Sequence, residues 1–360
     1  MDSSNEKKLY AYPLQLIEGR DAIILKRGSI ELKIGGEQAA AAVQAVLSAI
    51  SKGGSTEEDI CNLFAAPAQP AIRELIKQLL ARRMLRLADD EESLPQKVES
   101  ALDVFYWHFD LQHERVAKRI NDMQLAIIGV NHISHQLAYS LTASGLDNFE
   151  VIDYEFLRNL HLFNNTEELN SQTWSHPLKP PVEFEKWNQS TKSNLPNCII
   201  ATSDFGGQEL LLHWNRFCIE KGIHFLPVLL QDLIGYVGPL LVPGETACLE
   251  CLRSRQNANL TEAKDRRLAE KSAFESQTII GFHPSMASVL GDIAAIELTK
   301  FYGLVPQWRV GTLIEVNLLS SKMSPHKVLR IPRCKACSTL NRRSSASLKK
   351  TSFVRRIRTE

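Results

Sequence analysis

The sequence predicts an α/β protein in two parts, a small α+β module at the N-terminus and a larger domain built on a mostly parallel sheet. Three observations carry that reading. Apolar runs at 125–129, 150–153, 198–204 and 224–230 alternate with stretches of helical periodicity, the pattern of β-α-β units whose strands are covered on both faces. Ahead of them, residues 9–87 hold a self-contained series of short strands followed by three helices. Behind them, Cys248-Leu-Glu-Cys251 and Cys334-Lys-Ala-Cys337 form two C-x-x-C pairs, which together complete a closed four-thiolate site of the structural zinc kind. All four positions of such an ion are filled by sulfur, so it staples two segments and leaves the chemistry to be found elsewhere.

In the N-terminal module, assigned to 1–90, the runs 10–17 and 22–25 and the alternation Ile30-Glu31-Leu32-Lys33-Ile34 predict three antiparallel strands with turns at Gly19 and Gly28. An Ala-rich helix follows over 39–51. Ser55-Thr56-Glu57-Glu58 offers a capping box ahead of 60–64, and Pro70 opens a third helix over 71–83 with Ile72, Leu75, Ile76 and Leu79 at helical spacing. The order is winged-helix-like. Its third helix, however, mixes charge signs and lacks the dense basic face that phosphate neutralisation needs, so no nucleic acid partner is expected.

The acidic run 89–93 with Pro95 marks a boundary, and a linker helix carrying Phe105, Tyr106 and Trp107 is expected over 97–121, within a linker assigned to 91–120. The second domain, 121–337, opens on the strand 125–129 and the turn Gly129-Val130-Asn131-His132-Ile133-Ser134. That turn keeps the first glycine of a G-x-G-x-x-G fingerprint and places Asn131 and Ser134 at the other two positions. Asn131 tolerates positive φ, and Ser134 at a helix start can donate to a phosphate. A helix over 135–144 ends at Gly145, and Asp153 closes the next strand at the distance that suits a ribose hydroxyl. Asp204, at the carboxyl end of its strand, is a candidate ligand for Mg2+ and phosphate. His132 and His135 are candidates for proton transfer, and the segment 164–197, rich in Asn, Ser, Thr and Pro, for a mobile lid.

Composition bounds the rest. With 44% hydrophobic and 23% charged residues the chain has ordinary globular values, and a net charge of +1 argues against any global attraction to nucleic acid. No run approaches a membrane span and no apolar stretch follows the charged start, so a cytoplasmic protein without a membrane partner is expected. Cys61, Cys198 and Cys218 lie in apolar runs and read as small buried hydrophobes. The tail 338–360 is basic and serine-bearing, and reads as disordered.

Several of these strings together carry a family resemblance: Gly129 onward, Asp153 with Asn159-Leu160 after it, the Asp204 strand end, Val237-Gly238-Pro239-Leu240 through Cys251, the helix 285–302 and Cys334-x-x-Cys337. They resemble the E1-like, or ThiF/MoeB-like, adenylating superfamily over residues 105–337, and within it the branch that matures ribosomally made peptides. That branch includes the microcin C7 adenylating enzyme, ThiF-like partners of azoline cyclodehydratases, and the pantocin A maturase, the nearest in kind. The resemblance implies a Rossmann-like nucleotide domain, a homodimer, ATP with Mg2+, and activation of a carboxylate in a precursor peptide; the pantocin-like case implies glutamate side chains and a Glu-Glu condensation. Carried over, Gly129, Asn131, Ser134 and Asp153 would hold the nucleotide, Asp204 the metal, and Arg158 with Asn159 the attacking region. His283 would close over the nucleotide. Where active members place an arginine beyond the Asn-Leu pair, this chain has Leu162, and Lys179 is the nearest lysine to serve instead. The N-terminal module resembles a leader-peptide recognition element, in which a peptide adds to an edge strand. Here that implies the edge 29–33 with Ile30 and Leu32, and a groove lined by Ile72, Leu75, Ile76 and Leu79. The alternatives are a non-catalytic partner that binds the leader and delivers the peptide to a YcaO-type cyclodehydratase, and a winged-helix regulator fused to a nucleotide sensor.

Overall fold

The computed structural model describes residues 7–20, 22–51, 53–88, 100–109, 111–164, 168–170, 172–191, 194–231, 233–259, 265, 268 and 281–338. The acidic boundary 89–93 and the tail beyond Ser338 therefore lie outside the described residues. The chain divides into two compact units, Met1–Arg115 and Val116–Glu360.

In the first unit the expected strand over 10–17 is two strands. Pro13 has no N–H to give a ladder, and the chain splits around it into β1 (Lys8–Ala11) and β2 (Gln15–Glu18). β2 pairs with β3 (Ala22–Arg27), and β3 with β4 (Ile30–Gly35), in an antiparallel sheet of order β2-β3-β4. β1 instead pairs with β5 (Leu85–Ala88), which follows the helices α1 (Ala39–Ile50), α2 (Glu57–Cys61) and α3 (Gln69–Ala81). Thr56 caps α2, its hydroxyl accepting from the Asp59 N–H. Leu9, Ile23, Leu25, Val43, Val46 and Ile60 form the core with one face of α3. The expected helix over 97–121 is also two, α4 (Ala101–Trp107), opened by a Ser100–Asp103 capping box, and α5 (His113–Asn121). The Leu111 N–H bonds back to the Tyr106 carbonyl and closes α4. Trp107 packs near Tyr12, whose ring lies 3.7 Å under the buried Arg27 guanidinium.

The second unit is an eight-stranded sheet of order β13-β12-β11-β10-β9-β6-β7-β8. β6 (Leu125–Ile128), β7 (Phe149–Asp153), β8 (Val182–Glu183), β9 (Cys198–Ser203) and β10 (His224–Gln231) run parallel. β11 (Ile234–Val237), β12 (Thr312–Asn317) and β13 (Lys322–Lys327) extend it antiparallel. β6 crosses to β7 through α6 (His132–Ala143), and β9 to β10, in the other direction, through α8 (Gln208–Lys221). Right-handed crossovers then place α6 and α8 on opposite faces. α10 (Pro284–Tyr302) packs against α6, while α7 (Phe184–Ser190), α8, α9 (Leu249–Ala258) and the cysteines share the other core. The segment 164–197 is not an unstructured lid. It contributes Trp174 and Trp187, 7% and 3% exposed, and Trp187 lies 6.2 Å from Trp214 of α8. Among the described residues no helix is long and apolar enough to cross a membrane.

α6 and α10 touch backbone to backbone at Gly291, where an added Cβ would stand 2.7 Å from the Ile133 carbonyl oxygen and 2.8 Å from the Leu137 nitrogen. Neither atom can yield, so Gly291→Ala is expected to lose about 1–3 kcal/mol to overpacking, more than the roughly 1 kcal/mol that helix propensity returns. Urea denaturation checks the sign. At the other edge of the same helix, the His224 ring stacks on Tyr302 and its Nδ1 is 2.8 Å from the phenol oxygen. Burial pushes this imidazole down to about 4 from an ordinary 6.5. The unfolded chain therefore takes up the proton first as pH falls. The stability is whole above pH 6.5 and is lost toward pH 4, by about 2–3 kcal/mol. Unfolding curves at neutral and acid pH should converge for His224→Gln and diverge for the parent.

Candidate functional site

β6 and β9 lie side by side, and their chains leave in opposite directions, to β7 and to β10. This is the switch point of the sheet, where ligands gather outside the carboxyl ends of strands. Its floor is a polar network around Asn131, which is fully buried. Asn131 Nδ2 donates to the Thr202 carbonyl and hydroxyl, both at 3.0 Å, and to the Leu157 carbonyl. Its Oδ1 accepts from the Ser134 N–H, while Ser134 Oγ accepts from the Asn131 N–H. The pair is thus a reciprocal capping box that starts α6 at His132, three residues earlier than expected.

That geometry places the residues of the glycine turn. Asn131 and Ser134 spend their side chains inside the protein, and Gly129, at φ +107°, leaves the room that Thr202 O and Asn131 Nδ2 occupy. Thr202, which sequence reasoning missed, anchors the turn. The only signal for it was a pair of hydroxyl residues, Thr202 and Ser203, closing an otherwise apolar strand.

Asp204 follows directly after β9 and is buried, 1% exposed. Both carboxylate oxygens accept from Asn159 Nδ2, at 3.1 and 3.0 Å, and Oδ2 also accepts from the His132 N–H at 2.9 Å. Asn159 is held in turn by its N–H on the Val130 carbonyl. Burial pushes the Asp204 carboxyl above the ordinary carboxylate range, against the pull of the Asn159 and His132 donors. Asp204 thus sits where the dipole of α6 is positive. A carboxylate already stands on the helix N-terminus, so this place suits a cation-bridged phosphate and not a bare one. A carboxylate offers about four lone-pair sites, which leaves capacity for a metal ion beside these donors.

Asp153, at the carboxyl end of β7, is gripped by Arg158 through two bonds of 2.6 and 2.9 Å. Arg158 therefore secures Asp153. Leu162 is buried, and Lys179 Nζ reaches the Asp147 carbonyl, ahead of the amino end of β7. His135 lies edge-on to Trp174, and burial lowers its pKa. His283 caps α10, accepting from the Ser285 N–H.

In the first unit, Ile72, Ile76 and Leu79 are core, 5%, 0% and 0% exposed, as is Leu32. The apolar stripe of α3 is consumed by its own module, leaving Leu75 and Ile30 half-buried at its margin. β4 does form one sheet edge; β2 forms the other, with Leu16 and Ile17 exposed.

The four cysteines converge. Their sulfurs lie within 4.8 Å of one another and all four residues are buried, with Cys248–Cys251 at 3.8 Å, Cys248–Cys334 at 3.7 Å and Cys251–Cys337 at 3.5 Å. An ion about 2.3 Å from four tetrahedral thiolates separates them by about 3.8 Å. The cluster therefore fits zinc.

Comparison with known proteins follows this geometry. No family model and no curated protein sequence matches the chain. Solved structures do. Escherichia coli MccB matches with a TM-score of 0.64 at 14% identity, covering 94% of this chain and 99% of that one. The microcin C7 biosynthetic enzyme MccB in complex with N-formylated MccA matches with a TM-score of 0.67 at 15% identity, over 92% and 100%. The heterocyclase TruD matches at 0.54 and 18%, over 92% of this chain and 43% of its own. The chain has the fold of these proteins, with a mostly parallel sheet and a four-cysteine cluster.

Metal analysis of protein purified without chelator is expected to give about one zinc per chain. Cys334→Ser should release it and lower thermal stability, since structural zinc contributes directly to folding. Retention of the parent's melting temperature by metal-stripped protein would contradict a structural role.

Proposed function

We propose that this protein is an ATP-dependent enzyme that activates a carboxylate of a ribosomally made precursor peptide. The observation that carries the reading is Asp204: a buried carboxylate at the switch point, oriented by Asn159 and by the first N–H of α6. The fold shared with MccB, solved with ATP and with its peptide MccA, supports it. When bound, ATP supplies the leaving group that a carboxylate lacks. Asp204 would hold the Mg2+ that neutralises phosphate charge, the Asp153–Arg158 pair would face the ribose, and the backbone of the 129–134 turn would stand beside the phosphates. The polar network makes this turn rigid, so the reactants meet with little left to order. Cys248, Cys251, Cys334 and Cys337 would hold a structural zinc on the far side from α6.

The first unit acts as the leader-binding module of a cytoplasmic homodimer, the leader adding as a strand to β4 beside Leu75. In the pantocin-like form of this reading, the activated groups are glutamate side chains and the product is a Glu-Glu condensation. A second reading has one observation in its favour: Arg158 is committed to Asp153, and Leu162 is buried where a phosphate-gripping arginine would stand. On that reading the chain binds the leader and presents the peptide to a separate YcaO-type cyclodehydratase.

Incubation with a candidate precursor, Mg2+ and ATP separates the two. An enzyme forms AMP or ADP with a mass change in the peptide, and Asp204→Asn lowers that rate by about 100-fold or more while leader affinity is retained. No nucleotide turnover in the parent, with leader affinity intact, selects the presenting partner.

A further inference from the structure

A nucleotide brought to the switch point presents several phosphate oxygens, and the described residues around Asp204 leave few donors to answer them. The N–H of His132, the first of α6, is committed to Asp204 Oδ2, and that of Ser134 to Asn131 Oδ1. Arg158 holds Asp153, Lys179 Nζ is on the Asp147 carbonyl, and Leu162 is apolar and buried. A phosphate placed here therefore needs a side-chain donor.

Histidines are the candidates, and their surroundings separate them. His135 lies edge-on to Trp174 and donates to the Thr173 backbone. His283 accepts the Ser285 N–H at its Nδ1, and His161 is exposed. His132 differs from all three. Its ring is half-buried, meets Phe282 edge-on with centroids 6.1 Å apart, and makes no hydrogen bond among the described residues. It also lies near enough to act electrostatically on the Asp204 carboxyl. His132 is the first helical residue of α6, and Cα–Cβ bonds in a helix tilt toward its N-terminus. The side chain therefore projects past the helix end, toward the carboxyl ends of β6 and β9 where Asp204 stands.

We propose that His132 is the phosphate-gripping residue of this crevice, its ring N–H donating to a phosphate oxygen of the bound nucleotide beside Asp204. The inference rests on the ATP-dependent reading above, and names the donor that stands in for the arginine that active relatives place beyond the Asn-Leu pair. An imidazole keeps at least one N–H in either charge state, so the contact needs no change of protonation. Phe282, just ahead of α10, steadies the ring from its edge.

The test measures binding of a non-hydrolysable ATP analogue with Mg2+ to the full-length protein by calorimetry. His132→Leu, similar in bulk and without a donor, should weaken that binding about 10- to 100-fold, the effect of losing a hydrogen bond to a charged group. His132→Gln, which keeps a side-chain donor, should recover most of the loss. A packing role against Phe282 gives the reverse order, with Leu tolerated and Gln not. In the parent, the 15N signals of the His132 ring should shift when the analogue is added. Melting temperature and zinc content of both variants should match the parent. Unchanged affinity of His132→Leu, the reverse order of the two variants, a bound analogue that leaves the His132 signals in place, or no binding of the analogue to the parent overturns the proposal. Mass spectrometry of a candidate precursor with ATP tests the activating reading separately. The expected order of variants without any change in the peptide keeps His132 as the phosphate contact and overturns activation of a carboxylate, so the two failures give different results.

Discussion

Convergence of four buried sulfurs is the constraint on which the second unit depends. Thiols packed at 3.5–3.8 Å are poor neighbours without a cation. Mutual hydrogen bonds hold Cys251 low and push Cys248 high, so one proton leaves readily and the next resists. A divalent ion resolves that conflict by removing the protons together. What it joins are parts distant in sequence, the first turn of α9 and the segment 331–338. Arg330 reinforces the union by donating to the carbonyls of Gly244 and Cys337.

The cluster also fixes position. Cys251 and Arg253 are neighbours on α9, so the sulfur cluster sets where that guanidinium stands over β10 and β11. The switch point has a separate anchor in Asn131, Thr202 and Ser134. Removing one partner of such a network leaves buried polar atoms unmatched, which costs more than any single bond contributes. This rigidity replaces the close glycine approach of an ordinary dinucleotide turn: α6 is aimed by a capping box, and its first N–H is answered by Asp204.

Much of this was legible in sequence. Parallel strands read as apolar runs because both faces are covered, and Leu125–Ile128 and Cys198–Ser203 are buried throughout. The cysteines were legible because C-x-x-C places two sulfurs on one side of a turn. What sequence left open was direction. Asn131 and Ser134 occupy glycine positions of a phosphate-binding fingerprint, yet their side chains turn inward because Thr202 on the neighbouring strand offers partners that only the folded register reveals. Ile72, Ile76 and Leu79 have the spacing of a groove wall, but helical spacing marks an apolar face without saying what covers it, and here the module's own core does. Trp187 shows the opposite failure. A segment rich in polar residues looked like a lid, while two tryptophans were enough to bind it to the body of the domain.

The loop from Asp204 to Gln208 joins the crevice to the start of α8, and its conformation explains why the two sit together. Gly206 and Gly207 both have positive φ, at +88° and +82°, a conformation that side chains rarely adopt. Two such residues in succession turn the chain sharply between the end of β9 and the start of α8. Asp204 is left facing α6, and Gln208 facing Arg253. A longer or straighter connection would carry Gln208 away from the sheet and part the guanidinium from its partner. One tight turn therefore fixes the Asp204 carboxylate relative to the Gln208–Arg253 pair.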